Sequence, residues 1–290
     1  MANTITLKRR IASIKNTRQI TKAMELVSSS KLRRAQRQAQ ASRDYREAAY
    51  ALLARLSGVQ EVEQHPLFRK RPVKNRLYVV ITSSNGLAGA YNANVLKLLT
   101  QAIRQDQADK VKTSVITIGN KGVQFVRRLQ NVELLAHYPA FGDEPTENDI
   151  LPLLNSVVSS YVTQTTDEVC LLYTVFQSSI TQVATNLQLL PAHTDDGQQP
   201  AQDGAVLNFE PDADTVIQQI GARLIQAQLW QAVLESLASE HAMRAIAMKN
   251  ATDNANELID DYTLEYNTAR QGAITQELAE ITGGAEALNE

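Results

Sequence analysis

Few residues of this chain stand at a spacing that could do chemistry. The best placed are Asn85-Gly86-Leu87-Ala88-Gly89, between an apolar, β-branched run at Leu77–Ser83 and a stretch with helical spacing at Tyr91–Gln105. Phosphate loops sit at such junctions, because the backbone N–H groups and the helix N-terminus face an anion there. This turn matches neither GxxxxGK[ST] nor GxGxxG, and no lysine follows it. A tight strand-to-helix turn accounts for both glycines, and Gly119–Gly122 is a weaker instance of the same thing. The histidines at 65, 137, 193 and 241 are far apart and none falls in an HExxH pattern, so a histidine metal cluster has no support. Cys170 is the single cysteine, which rules out an internal disulfide and argues against a Cys-rich zinc site. Ser-His-Asp, Cys-His and paired-carboxylate arrangements are absent. Asp195-Asp196, Asp260-Asp261 and the Glu277/Glu280 pair read as solvated acids; the last pair lies on one helix face and could also grip a partner's basic groups. His241 and Trp230, with Met24, Met243 and Met248, fall at core spacing and read as packing.

The elements that would position these residues differ between the middle and the ends. The middle alternates strand and helix: Leu77–Ser83, Tyr91–Gln105, Thr113–Ile118, a helix near Val123–Leu129, Val132–Ala136, Ile150–Val162, Glu168–Phe176 and Thr181–Leu190. That rhythm predicts a parallel or mixed sheet with helices on its faces, a Rossmann-like α/β domain over 75–190. His193–Gly204 reads as a polar loop.

The ends read as long helices. All eight prolines lie between Pro66 and Pro211, and the first 57 residues hold no glycine. A proline inside a helix costs about 3 kcal/mol. In residues 1–57, Ile11, Ile14, Ile20, Met24, Val27, Ala35, Ala39, Tyr45, Ala48, Leu52 and Leu56 recur at threes and fours, which predicts an amphipathic helix with these residues inward. In residues 209–290, two series at steps of seven form a seam. One runs Ile220, Ala227, Leu234, His241, Met248, Ala255, Tyr262, Ala269; the other runs Leu224, Gln231, Ala238, Ala245, Thr252, Ile259, Tyr266, Ala273. A sustained seven-residue repeat reads as a coiled coil. Pro211 with Asp212 and Asp214 makes a good helix start. At ~1.5 Å per residue such helices exceed the ~30 Å of a small domain and are expected to project from it.

Charge suggests how the ends pair. The net charge of −2 conceals 13 Lys+Arg against 3 Asp+Glu in residues 1–57, and 4 against 13 in residues 212–290. Opposite signs flanking a seam favour pairing of one helix with the other over self-association, so the expectation is a long antiparallel coiled coil. The basic first helix is also open to a nucleic-acid-binding reading, though only Tyr45 and Tyr50 interleave its charges and an acidic helix in the same chain would compete. No apolar run approaches the ~20 residues of a membrane span. The start, MANTITLKRR, lacks a secretory apolar stretch, and the helical pattern runs on where a transit peptide would be cut. The expectation is a soluble, mature protein of a reducing compartment.

Ser13-Ile-Lys-Asn-Thr-Arg-Gln-Ile-Thr-Lys-Ala-Met-Glu-Leu-Val27, followed by Ser30-Lys31, resembles the first helix of the gamma subunits of F-type ATP synthases. Ile274-Thr-Gln-Glu-Leu-Ala-Glu-Ile-Thr-Gly-Gly-Ala285 resembles that family's C-terminal signature T-x-E-x-x-E-x-x-x-G-A. Arg244–Asn254 and Tyr266–Gln271 are similar to further family stretches, in the same order along the whole chain. There are two departures. Ser84-Asn85 stand where the family's turn usually reads Asp-Arg, which puts any charge contact there in doubt. The short loop at 193–204 lacks the inserted segment of chloroplast and cyanobacterial members and contains no cysteine, so a bacterial type without thiol regulation is expected.

The resemblance implies a non-catalytic central rotor shaft without a cofactor. In the family, the coiled coil sits inside a hexameric ring of alpha and beta subunits, which carry the nucleotide sites. The α/β domain, with epsilon, rests on the membrane c-ring. Proton flow turns ring and shaft, and ATP is made or hydrolysed on the surrounding subunits. The resemblance implies contacts to the alpha and beta subunits from Lys22, Met24, Arg244, Arg270, Gln271, Thr275, Glu277 and Glu280, an apolar bearing at Ile281–Leu288, no nucleic-acid partner, and a peripheral place at the cytoplasmic face of a bacterial cell membrane.

Overall fold

In a computed structural model, residues 2–56, 65–192 and 213–287 are described. The polar loop at 193–204, Asp195-Asp196 and the helix start at 211–212 lie outside them. The elements are α1 (Ala2–Leu56), β1 (Asn75–Ile81), α2 (Tyr91–Ala108), β2 (Lys112–Ile118), α3 (Asn120–Val126), β3 (Val132–Tyr138), α4 (Leu151–Val162), β4 (Glu168–Phe176), β5 (Gln182–Leu190) and α5 (Ala213–Ala287). The chain divides into two compact units: Met1–Ser28 with Arg244–Glu290, and Ser29–Met243.

The unit Ser29–Met243 is built on a five-stranded sheet of order β3-β2-β1-β4-β5. β1 pairs in parallel with β2 and β4, and β2 with β3, while β5 runs antiparallel to β4. Parallel strands are buried on both faces, which is why β1 is apolar from Leu77 to Ile81. Successive side chains serve opposite faces. Leu77, Val79 and Ile81 join Leu171, Val157, Tyr161, Leu224, Leu229 and Val233 on the face covered by α4 and α5. Tyr78 and Val80 join Val95, Leu99, Val126 and Leu172 on the face covered by α2 and α3. The α/β domain read from the sequence is therefore present, with shifts at the element ends. β1 ends at Ile81; Thr82 Oγ1 then donates to the Ile118 carbonyl at the end of β2, and the Ser83 N–H leaves the ladder for Asn92 Oδ1. α3 begins at Asn120 because Gly119, at φ 86°, turns the chain straight into it. β3 runs two residues further, to Tyr138, through pairing with Ile118. A 3-10 turn at Glu147–Ile150, capped reciprocally by Thr146 and Asp149, leads into α4.

At the other end of the sheet a polar network ties β1, β4 and α2 together. Asp106, 0% exposed, accepts hydrogen bonds from the Arg76 guanidinium and from Thr113 Oγ1 at 3.0 Å. Arg76 also pairs with Glu168 at 2.7 Å. Arg71 lies 4.2 Å from the centre of the Tyr161 ring and bonds the Tyr161 carbonyl at 2.8 Å, holding the segment that enters β1.

Also in this unit, Leu32 and Ala35 of α1 pack with Leu237, Ala238 and Ala242 of α5, antiparallel. Lys31 pairs with Asp143 at 2.8 Å and Arg34 with Glu144, both acids in the loop after β3. These two basic residues thus find their partners in the α/β domain, where charge balance alone pointed to the acidic helix.

The unit Met1–Ser28 with Arg244–Glu290 is an antiparallel helix pair. Thr252 Oγ1 donates to Thr21 Oγ1 at 2.8 Å, Arg18 donates to Asn256 Oδ1 at 3.3 Å, and Arg10 stacks 5.9 Å from the centre of the Tyr262 ring. Each step toward the start of α1 is a step toward the end of α5.

Every position of both heptad series on α5 is buried or half-buried; from Leu224 to Ala245 so is every other residue, several of them against the sheet, and from Met248 on the two series stand out as the inward face. The stripe predicted on α1 holds at Ile11, Ile14, Met24, Ala35 and Ala39, needs correction at Ile20 and Val27, and at Tyr45, Ala48, Leu52 and Leu56 falls on side chains outside the described ones. Ile20 is 61% and Val27 53% exposed, while their neighbours Thr21 and Ser28 are buried. The inward series of α1 is Leu7, Ile14, Thr21, Ser28, Ala35 and Ser42, a strict heptad with small polar members. Small side chains let two backbones approach closely, and Thr21 meets its hydrogen-bonding need on the Arg18 carbonyl at 3.0 Å.

Candidate functional site

Open α/β sheets bind ligands beyond the carboxyl ends of the strands, where the strand order reverses. Here that point lies between β1 and β4, next to the glycine turn. The turn is closed on itself: Ser83 N–H donates to Asn92 Oδ1 at 3.0 Å, and Asn92 Nδ2 donates to Ser83 Oγ at 2.8 Å. Gly122 N–H donates to Thr82 Oγ1 at 2.9 Å. Gly119 is required, since a Cβ there would lie 2.2 Å from the Thr82 carbonyl oxygen. Gly89 takes φ 54° in the turn, whereas a Cβ on Gly86 would meet nothing within 4 Å, so only Gly89 is explained by turn geometry.

The crevice itself is filled by α5. Thr174 N–H donates to Ser236 Oγ and Ser239 Oγ donates to the Thr174 carbonyl, both at 3.3 Å. Between Ile81, Thr82, Ile118, Val233 and Leu237 about 20 Å³ remains, room for about one water and not for a nucleotide. Among the described residues no group of three or more His, Cys, Asp or Glu could hold a metal ion, and no helix is long and apolar enough to cross a membrane. His241 is buried on the seam, its Nε2 4.0 Å from Asp143 Oδ1, as a packed residue should be.

The residues singled out for partner contact fall in two groups, both in the helix-pair unit. Lys22, Met24 and Arg244 lie near one level. Lys22 is exposed and grips Glu25 at 3.0 Å, Met24 is half-buried, and Arg244 is buried with its polar group partnered. Arg270, Gln271, Thr275, Glu277 and Glu280 form the second group, about 30 Å further along at ~1.5 Å per residue. Continuing the observed pairing, Ala2 falls opposite roughly Gln271 at the same rise per residue. From Arg270 to Thr282 every side chain but the half-buried Ala273 is exposed. Thr275 Oγ1 returns to the Gln271 carbonyl at 3.0 Å and Gln276 Nε2 bonds Glu280 at 3.0 Å. The arginine, the glutamine amide and the carboxylates are thus held on an exposed face of the helix. Of the apolar segment at its end, Ile281 is exposed, the side chains from 283 on are not described, and Leu288 lies outside the described residues.

The ATP synthase family profile matches residues 3–288. The chain is 39% identical over 290 residues to the ATP synthase gamma chain of Acidithiobacillus ferrooxidans, covering 99% of this chain and 100% of that one. It is 42% identical over 293 residues to the gamma chain of Roseiflexus castenholzii, with both chains covered fully. The chain belongs to the ATP synthase gamma family. In fold it is similar to a chain of the Euglena gracilis mitochondrial ATP synthase, solved as OSCP, F1 and c-ring, with TM-score 0.71, 19% identity, and 99% and 95% of the two chains covered. The gamma-family fold accounts for long terminal helices on either side of a mixed sheet.

Exposed apolar residues of this unit include Ile281, expected in the apolar bearing, and Ile20 and Val27, expected inward. Ile5, Ile20, Leu26 and Val27 of α1, and Leu264, Ile274, Leu278 and Ile281 of α5, are large, apolar and exposed. The signal was available in their position: on both helices they fall off the heptad series that make the seam.

Proposed function

We propose that this chain is the central rotor shaft of a bacterial F-type ATP synthase, non-catalytic alone, coupling transmembrane proton flow to ATP synthesis or hydrolysis on surrounding alpha and beta subunits. Segments 1–57 and 209–290 serve as the shaft and segment 75–190 as the base, which meets epsilon and the membrane c-ring at the cytoplasmic face of the cell membrane. The observation that carries this reading is the full-length match to gamma chains, joined to an α5 end whose polar and apolar side chains are exposed.

The mechanism follows from symmetry. One helix pair inside a ring of three equivalent sites cannot offer the same face to each, so rotation changes which site meets Arg270 and Gln271. A guanidinium and an amide make directed bonds that lock or release a mobile loop of the ring. Lys22, Met24 and Arg244 form a second level of contact, and Thr275, Glu277 and Glu280 extend the first toward the tip. A nucleic-acid role finds less support, since Lys31 and Arg34 are engaged by Asp143 and Glu144.

The test is Arg270→Ala combined with Gln271→Ala in the reconstituted complex. Both side chains are exposed, so the chain keeps its fold while ATP turnover drops, by about tenfold for the loss of two directed bonds. Unchanged turnover in an intact complex would remove these residues from the coupling role.

A further inference from the structure

A second concavity lies in the unit Ser29–Met243, between α1, the end of β4 and α5. Its volume is about 770 Å³, within the ~300–1,000 Å³ range of small-molecule sites. Three guanidiniums line it, Arg33, Arg37 and Arg43. Arg33 and Arg37 are one helical turn apart, a like-charge spacing that weakens a helix unless something compensates. On the same helix Lys22, Lys31 and Arg34 each have a carboxylate partner. Arg33, Arg37 and Arg43 have none among the described residues.

The floor differs in chemistry from the rim. Glu235, 4% exposed, lines the cavity, and one of its carboxylate oxygens accepts a hydrogen bond from Gln231 Nε2 at 2.7 Å. No hydrogen bond to its other oxygen is present among the described residues. Phe176 supplies an aromatic wall. An occupant must therefore bring negative charge to the rim, a flat apolar body to the wall and a hydrogen-bond donor to the floor. A simple phosphate meets only the first need, and an acidic peptide meets the first while placing further carboxylates near Glu235.

We propose that this cavity is a nucleotide site. The phosphates lie on Arg33, Arg37 and Arg43, the base lies against Phe176, and an exocyclic amino group of the base donates to Glu235. Guanidinium–phosphate pairs are the strong, directional part of such recognition. Carboxylate–amino pairing supplies the base preference, because it leaves a buried acceptor unmet when the base is missing. The site is independent of the crevice at the strand-order reversal, which is filled by α5, and of the contact residues proposed above.

Isothermal titration of the full-length chain with ATP, and separately with pyrophosphate, at physiological salt and without divalent metal tests this. The expected result is saturable one-to-one ATP binding with Kd below about 1 mM, and pyrophosphate weaker by about tenfold. Arg33→Ala with Arg37→Ala should weaken ATP by about tenfold or more, with an unchanged circular dichroism spectrum. Glu235→Gln should shrink the preference for ATP over pyrophosphate. Lys8→Ala with Lys15→Ala, on exposed turns of the same helix away from the cavity, should leave binding unchanged. Absence of saturable ATP binding up to about 5 mM, pyrophosphate binding as tight as ATP, or an equal loss in the Lys8/Lys15 pair would each overturn the proposal. An acidic peptide that binds where ATP does not would overturn it as well.

Discussion

Thr252 Oγ1 donates to Thr21 Oγ1 at 2.8 Å, joining residues 231 apart in sequence at the middle of the helix-pair seam. Both side chains are buried, and Thr21 passes its own proton to the Arg18 carbonyl at 3.0 Å. Thr252→Val keeps the shape and removes the bond to Thr21 Oγ1, which still donates to the Arg18 carbonyl, so the cost is about 1 kcal/mol. Thr21→Val made in that background should cost less than alone, because replacing both partners by apolar groups of the same shape is nearly neutral. Urea unfolding of the two single variants and the double variant measures the coupling; strict additivity would show that the two hydroxyls act separately.

Arg76 holds two carboxylates, and Asp106 is wholly buried. Arg76→Met should cost about 3–5 kcal/mol, because a buried carboxylate loses its charge partner. Denaturant unfolding followed at Tyr78 and the sheet would register this as a lower midpoint.

Folding raises the pKa of Cys170, through burial first and Glu168 second, and that of Tyr78, through burial first and Asp106 second. Tyr161 is raised too, chiefly by burial. Each folded form prefers its proton. The stabilisation is therefore whole below the ordinary values, 9.0 for the thiol and 10.0 for the phenols, and is lost as pH climbs through them toward the folded values. Stability should fall steadily above about pH 9, with Cys170→Ala flattening the earliest part of that fall. The same burial predicts that Cys170 reacts with iodoacetamide far more slowly in the native chain than in urea at pH 8.5. Equal rates would contradict the buried thiol.

Ile20 and Val27 touch little within the chain, being 61% and 53% exposed. Ile20→Ser with Val27→Ser should move the stability of the chain by no more than about 0.5 kcal/mol per site. If the ring covers them, the pair should weaken assembly with alpha and beta subunits by about tenfold or more, since burying one such side chain contributes ~1.5–3 kcal/mol. A loss of stability without a loss of assembly would assign them to the fold.

Legibility in the sequence followed the chemistry of each seam. On α5 the apolar and alanine positions recur every seven residues with few competitors, so the inward face could be read directly. On α1 the inward positions Thr21, Ser28 and Ser42 are small and polar, while Ile20 and Val27 beside them are apolar and face out, so hydrophobicity pointed one residue away from the true seam. The central strands were legible because residues such as Val79 and Leu171 form unbroken apolar runs. Their ends were not, because Thr82 and Gly119 act through turn bonds that no periodicity records. The proposed contact residues rest on resemblance alone: Arg270 and Glu277 have no spacing that separates a gripping residue from a solvated one.

Rotation is the central claim, and watching it is the most direct test. Ile180, 85% exposed at the tip of the β4–β5 turn, can be replaced by cysteine in a Cys170→Ser background and tethered to a bead, with the alpha–beta ring fixed to a surface. The account predicts that added ATP turns the bead in one direction, in three equal steps per revolution. A bead that stays still while the same complexes hydrolyse ATP would contradict it.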